Sequence, residues 1–438
     1  MSQRMESVTP STGLSSRILT VLLCALLLAA CATPYAPQPV DVESGPGELL
    51  SVSQNDVTVT TTILSDAQAE RLYGVDLGGA GLQAVWLKVD NRSPRAQWLL
   101  VSALDPNYYP PGEATALFRS GFGEEEERLI AQRFDELAFP LKTPAGEINE
   151  GYVIAPRHEG GRYVIVKLLS GDGILDFGFP VTMPDGEFDF ERLHPDRVYG
   201  GQVLPDLDLA EFREELRGLP CCVTDESSER TGDPLNLVLV GDSPDLMAAV
   251  ARAGWTFTHR VTLDSIKRMI GATLSGAAYP VAPVSPLYLL GRQHDVALQR
   301  PRSTIVQRNH LRLWLAPFRF EGRFVWIGQV SRDVAVKVTT KSSTLTTHVI
   351  DPNVDEAREY LLQSLIVAGA VDRFAFVEGM PPVPSDAPRR NLTDDPYFTD
   401  GLRVVVILAD EGIVPPEDAE FIEWRTSADP IRRAQDGR

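Results

Sequence analysis

The chain has 438 residues, 43% hydrophobic and 23% charged, with a net charge of −19 and four cysteines. That length supports two or three domains with cores of their own, and the apolar share excludes a disordered chain. No run of about 20 apolar residues is present to span a bilayer, so a multispanning transporter is excluded along with collagen and coiled coil. The acidic excess, with no basic cluster, argues against nucleic acid as a partner.

Residues 1–30 read as a processing signal. Arg4 and Arg17 flank a polar start, Ile18 to Leu28 form an apolar stretch too short to be a transmembrane helix, and Leu28-Ala29-Ala30-Cys31 follows. Those last four residues are similar to the lipobox of bacterial lipoprotein signal peptides. The resemblance implies a lipidated, palmitate-bearing Cys31 as the first mature residue; the alternative is an ordinary secretory signal cleaved near Ala30. Burying acyl methylenes contributes roughly 0.8 kcal/mol each, so two or three chains anchor a protein without a span. Ala32, where an aspartate favours retention in the inner membrane, points by the same resemblance to the periplasmic face of the outer membrane. Cleavage removes Arg4, Arg17 and Glu6, a net +1, and takes −19 to −20. Residues 31–48 are Pro-rich and without periodicity, and are expected to form an extended tether holding the folded part off the bilayer.

From 49 to 190 the pattern alternates with period two, at Val57 to Ile63, Val85 to Val89, Gln97 to Val101, Arg162 to Leu169 and Ile174 to Met183. Turn residues such as Asp90 to Pro94 and Gly171-Asp172-Gly173 separate the runs. This predicts an antiparallel β-sandwich of immunoglobulin-like type. One helix interrupts it, where Leu129, Ile130, Phe134 and Leu137 follow the acidic start Glu124 to Glu127.

Residues 191–232 read as a connector with a short helix opened by Asp208 and Glu211. An α+β domain then occupies 233–410, followed by a tail over 411–438. Within the domain, Leu235 to Val240 is a strand and Ser243-Pro244 starts a helix closed by Gly254; a second helix opens at Thr262. Strands are predicted near 309–317, 323–338 and 343–350, a helix from Asp351-Pro352 to Gly369 with Asp351 as N-cap, and a last strand over Leu402 to Leu408. Gly241 alone is no phosphate-binding loop, and no internal repeat is visible.

Several strings in this half occur together in a characteristic order: Asp233 to Asn236, Ser285 to Arg292 with Tyr288, then Asp295 and Gln299, and Asn309 to Trp314 with His310 and Arg312. Trp326 with Gly328, Ser331-Arg332-Asp333, His348 with Asp351, and Tyr397 to Gly401 follow. Over about residues 217–410 the chain resembles the LssY C-terminal domain family. The resemblance implies an association with the cell envelope or type I secretion, where such domains often follow membrane-embedded phosphatase-like or DedA-like domains. This chain lacks a Pro-Ser-Gly-His string and an Arg and His set spaced for a phosphohistidine, so phosphatase chemistry is not carried over.

Strand parity places His310, Arg312 and Trp314 on one face and Leu311, Leu313 and Leu315 on the other. A turn centred near residue 320 brings Trp326 beside Trp314. Such a face suits a glycan or an anionic headgroup, through stacking and bidentate hydrogen bonds; alternatively it is an interdomain surface. A hydrolase would use His310 or His348 as base, Asp295 or Asp333 as orienter and Ser285 as nucleophile, although no Gly-x-Ser-x-Gly elbow is present. The histidines are scattered without metal spacing, so no metal or other cofactor is expected. The adjacent Cys221 and Cys222 form a disulfide, bridge to partners, or are plain structural residues.

The sequence thus leads to a lipid-anchored envelope protein acting as a non-catalytic binding or assembly component, with an unidentified protein, lipid or glycan partner. The alternative is a hydrolase of envelope lipids or glycans.

Overall fold

The computed structural model describes residues 35–42, 47–118, 122–158, 162–182, 195–258, 284–301, 308–338, 346–410 and 412–424. Cys31 and the helix expected from Thr262 lie outside the described residues.

Alternating apolar residues build the N-terminal β-rich region. Strands β1 (Leu50–Gln54), β2 (Val57–Ile63), β3 (Leu82–Asn91), β4 (Gln97–Leu99), β5 (Lys142–Thr143), β6 (Ile148–Pro156), β7 (Arg162–Ser170) and β8 (Gly173–Val181) form two four-stranded sheets, ordered β1-β2-β3-β6 and β5-β4-β7-β8. Every pairing in both is antiparallel. Val57, Val59, Val85, Leu87 and Val89 of the first sheet meet Val164, Val166, Phe177 and Phe179 of the second in one apolar core.

The other face of the first sheet carries helices α1 (Asp66–Tyr73), α2 (Pro111–Ala116) and α3 (Glu124–Leu137), of which only α3 was legible in the sequence. Helix α1 is held by a Ser65–Gln68 capping box. It ends at Gly74, whose φ of 71° lies in the left-handed region and whose missing side chain makes room for the ring of Tyr35. Residues 35–42 therefore do not form a free spacer. Gln38 N–H donates to Arg71 O at 2.7 Å, and Tyr35, Val40 and Val42 join the apolar cluster of the helices. Apolar residues among the prolines drive this docking.

The second region is mixed α and β. In chain order it comprises β9 (Asp206–Leu207), α4 (Leu209–Gly218), β10 (Cys222–Thr224), β11 (Thr231–Pro234), β12 (Leu237–Val240), α5 (Ser243–Arg252), β13 (Thr256–Phe257), β14 (Tyr288–Leu289) and β15 (Arg292–Gln293). Then come β16 (Val296–Pro301), β17 (Arg308–Phe320), β18 (Arg323–Val338), β19 (Thr346–Ile350), α6 (Val354–Val367), β20 (Val371–Glu378), β21 (Arg389–Arg390), β22 (Pro396–Tyr397), β23 (Leu402–Leu408) and β24 (Glu420–Phe421). A ten-stranded sheet has the path β13-β16-β17-β18-β12-β23-β20-β24, with β19 on β18 and β9 on β17; a small sheet is ordered β11-β10-β14-β15. The long β17–β18 hairpin is antiparallel, whereas β12 and β23 run parallel.

Both faces of the large sheet are covered. On one, Leu311, Leu313, Trp326 and Val404 pack with Leu246 and Val250 of α5, Leu361 and Leu365 of α6, and the sandwich core. On the other, Trp314, Phe318, Phe320, Val238 and Val405 pack with Phe212 and Leu216 of α4. Phe212 stacks on Phe320 with ring centroids 4.2 Å apart. The segment expected as a connector thus supplies a helix of this core, and that expected as a tail supplies the edge strand β24.

Two helix starts differ from expectation by local chemistry. Asp242, not Ser243, is the N-cap of α5, with Asp245 reaching back to its N–H. Asn353, not Asp351, is the N-cap position of α6, which starts two residues later than expected; Asp351 instead accepts the N–H of Asn353 at 3.0 Å.

The single charge within the apolar run of β23 ties α4 to the sheet. Arg403 is fully buried, donating Nε to Leu235 O at 2.9 Å, Nη1 to Leu216 O at 2.6 Å, and Nη2 to Gly379 O at 3.2 Å and to Pro220 O. Burial lowers its pKa to about 10, so the guanidinium stays charged at neutral pH against carbonyls at the C-terminal end of α4. Arg403→Met leaves these buried carbonyls without a donor and should lower stability by roughly 3 kcal/mol, read from urea unfolding.

Candidate functional site

The β17–β18 hairpin positions the candidate residues. Its register pairs His310 with Ser331, Arg312 with Gln329 and Trp314 with Ile327, while β16 sets Gln299 beside His310 and Ala297 beside Arg312. Even positions of β17 and odd positions of β16 and β18 therefore share one face. There Asp333 Oδ2 lies 3.5 Å from His310 Nδ1 and 3.6 Å from Arg308 Nε. Arg308 Nη1 donates to Gln299 Oε1 at 2.8 Å, and Arg312 donates Nη1 to Gln329 Oε1 and Nε to Ser285 O, both at 3.2 Å.

All these strand side chains are buried, and burial dominates their electrostatics. It pushes the Asp333 carboxyl up to about 7, against the opposing pull of Arg308 and Arg312. It pushes the Arg312 guanidinium down to about 10, opposed by Asp233 and Asp333. Asp233, on β11, is also raised by burial while accepting Asn391 Nδ2 at 3.0 Å. The arrangement is a buried network of two arginines, two aspartates and a histidine.

Farther along the row, Arg292 and Asp295 secure a β-bulge. The β17–β18 register shifts between Leu315 and Arg319. Here Asp295 Oδ2 accepts Leu315 N–H at 2.7 Å, and Arg292 donates to Leu315 O at 3.0 Å and to Asp295 Oδ1 at 2.8 Å. The Arg292 guanidinium also lies over the Tyr199 ring, 5.2 Å from its centroid. Trp314 Nε1 donates to Arg292 O at 3.2 Å, with His294 edge-on.

The position of the hairpin turn overturns the expected tryptophan pair. The hairpin turns at Glu321-Gly322, between the paired Phe320 and Arg323, rather than at residue 320, so the ladder opposes Trp326 to Leu315 and places it on the opposite face, where Nε1 donates to Gly241 O at 2.9 Å. Ser285 enters the row through its carbonyl, and Tyr288 sits in the small sheet, its carbonyl 3.4 Å from Thr224 Oγ1. The backbone of His348 pairs with Val336 in the β18–β19 ladder, and its side chain is outside the described atoms. The structure therefore gathers Gln299, His310, Arg312 and Asp333, with Arg292, Asp295 and Trp314 at the end of the same row. Surface cavities of about 220, 260, 460 and 410 Å³ are lined by other residues.

Sequence reasoning missed Arg308, Gln329 and Asn391, and named Asp233 only within a family string. Arg308 was legible from parity, two residues before His310; the others became neighbours only through long-range pairing. The Tyr397 to Gly401 string proves to be a structural latch. Asp400 holds Arg358 in two hydrogen bonds of 2.8 and 2.9 Å, while Asp355 accepts Thr399 Oγ1 at 2.6 Å and Asp400 N–H at 2.7 Å. Gly401, at φ 83°, has no space for a side chain, since a Cβ there lies 2.2 Å from Met380 O. Cys221 and Cys222 are joined by a disulfide. Among the described residues no group of three or more His, Cys, Asp or Glu is placed to hold a metal ion.

Residues 213–402 match the family model described as the LssY C-terminus. Searches of curated proteins and of solved structures return no match.

Two outcomes follow from this geometry. Gly401→Ala should lower stability by more than about 1 kcal/mol, measured by urea denaturation. The raised pKa of Asp333 means that the folded state holds its proton more tightly than the unfolded chain. This contribution to stability is complete below the ordinary carboxyl range and is lost as pH rises through about 7. The wild type should therefore lose stability relative to Asp333→Asn between about pH 4 and pH 8, read as a converging or crossing pair of unfolding midpoints.

Proposed function

We propose that the protein is an envelope lipoprotein, anchored through acylated Cys31 on the periplasmic face of the outer membrane, and that it acts as a non-catalytic binding or assembly component. Its N-terminal part is read as an immunoglobulin-like sandwich that carries the LssY-like unit. Two facing four-stranded antiparallel sheets favour that architecture, although the consecutive β1-β2-β3 meander departs from the strand order of immunoglobulin domains. The observation that carries the functional reading is the way the candidate catalytic groups are engaged. Arg292 and Asp295 grip the backbone of a bulge, Arg312 bridges Ser285 O to Gln329, and Trp314 is part of a core. Such a row keeps a sheet in shape and leaves binding to the surface built on it.

One observation favours a hydrolase instead: His310 Nδ1 lies beside a carboxyl whose pKa is near 7, which is the pairing of a general base and its orienting acid. The two readings separate in an assay of the acylated protein against lipid phosphates, esters and glycans. The binding reading expects no turnover above the blank. Turnover abolished in both His310→Ala and His348→Ala would overturn it. Mass spectrometry should find an acylated N-terminal Cys31 peptide, and an unmodified one would refute the anchor.

A further inference from the structure

The docking of residues 35–42 decides which side of the molecule meets the membrane. The Tyr35 ring packs edge-on against Phe122 at 6.2 Å and fills the space left by Gly74. Gln38 is hydrogen-bonded to the end of α1, and Val42 is buried. Only Ala32, Thr33 and Pro34 separate Cys31 from Tyr35. Four residue steps span at most about 14 Å when fully extended. A lipid on Cys31 places its glycerol at headgroup level, so Tyr35 stands within about that distance of the bilayer surface.

The helices on the Tyr35 side of the first sheet carry exposed apolar side chains. Leu117, after α2, is 49% exposed and Leu129, on α3, is 38% exposed. The half-buried Phe118 and Phe122 belong to the same apolar cluster as Tyr35. Leu129 lies one helical turn from Arg133, and Arg133 and Glu136 both act electrostatically on the Tyr35 phenol, whose pKa is raised chiefly by burial. The start of α3 carries Glu124 to Glu127, with Arg128 tied to Glu125 at 2.6 Å, so this face offers no cationic attraction to anionic lipid.

We propose that the face formed by docked Tyr35 and helices α2 and α3 rests on the zwitterionic bilayer that holds the Cys31 lipid, with Leu117 and Leu129 entering the interface. The inference rests on the lipoprotein reading above. It turns the supposed tether into a short leash, and it leaves the LssY-like unit on the far side of the sandwich's first sheet from the membrane. Contact is maintained by the anchor and by apolar insertion, with little part for charge.

The test uses the acylated protein in vesicles of zwitterionic phospholipid, with Leu117→Cys, Leu129→Cys and, as control, Ile174→Cys carrying an environment-sensitive fluorophore. Ile174 is 55% exposed on the sandwich. Labels at 117 and 129 should be quenched by lipid-borne quencher roughly twofold or more above the control. A flexible insert of about 20 Gly/Ser residues between Pro34 and Tyr35, with an r.m.s. span of roughly 25 Å, should reduce that excess. Equal quenching at all three positions, in protein whose Cys31 peptide is acylated, would overturn the orientation while leaving the anchor intact. An unmodified Cys31 peptide would remove both.

Discussion

The β17–β18 hairpin is buried on both faces, so each polar group on it must find its partner inside the protein. On one face leucines and Trp326 join the core shared with the sandwich; on the other Trp314 and Phe318 join the core under α4. The charged residues between these apolar blocks, Arg308, His310, Arg312 and Asp333, form a row that desolvation weakens and mutual pairing maintains. Removing one member of such a network costs more than its presence contributes, which gives the row a structural meaning independent of any ligand.

The same principle of buried polar groups joining elements recurs outside the row. Arg403 gathers the carbonyls at the end of α4, Asn236 bridges Val330 at both its N–H and its C=O, and Arg358 latches the loop before β23. Helix α5 lies between the sandwich and the large sheet; Arg252 at its end places its guanidinium over Tyr163 of β7 and donates to Gly369 O after α6. The two regions thus pack through a common apolar core rather than through a linker. Movement of one against the other would expose leucines and valines from both.

The strings that carry the family resemblance are mostly explained by this architecture. Arg292 and Asp295 define a bulge, Trp314 and Trp326 fill opposite cores, and Thr399, Asp400 and Gly401 form a latch. Of that set, His310 with Asp333 alone retains the look of chemistry; its neighbour Arg308 shares the strand face two residues away, whereas Asp233 comes from a position no local pattern connects to it.

Local physics made much of the fold legible. Period-two alternation located β2, β3, β7, β8, β17 and β18, because each side of a strand meets a different environment, and a continuous apolar run located β23. The Asp208–Glu211 capping box marked α4, because its hydrogen bonds lie within one turn. Helices α1 and α2 were not legible, being short and irregular in hydrophobic pattern. Tertiary structure alone decided the cross-strand register that separates Trp314 from Trp326, the packing of the connector helix and the docking of Tyr35 under Gly74. The physical reason is common to all three: a cross-strand register, a buried guanidinium and a missing side chain each act between separate segments of the chain. The sequence by itself determined which residues must be hidden and where the chain must turn; only the folded sheet decided which face hides them.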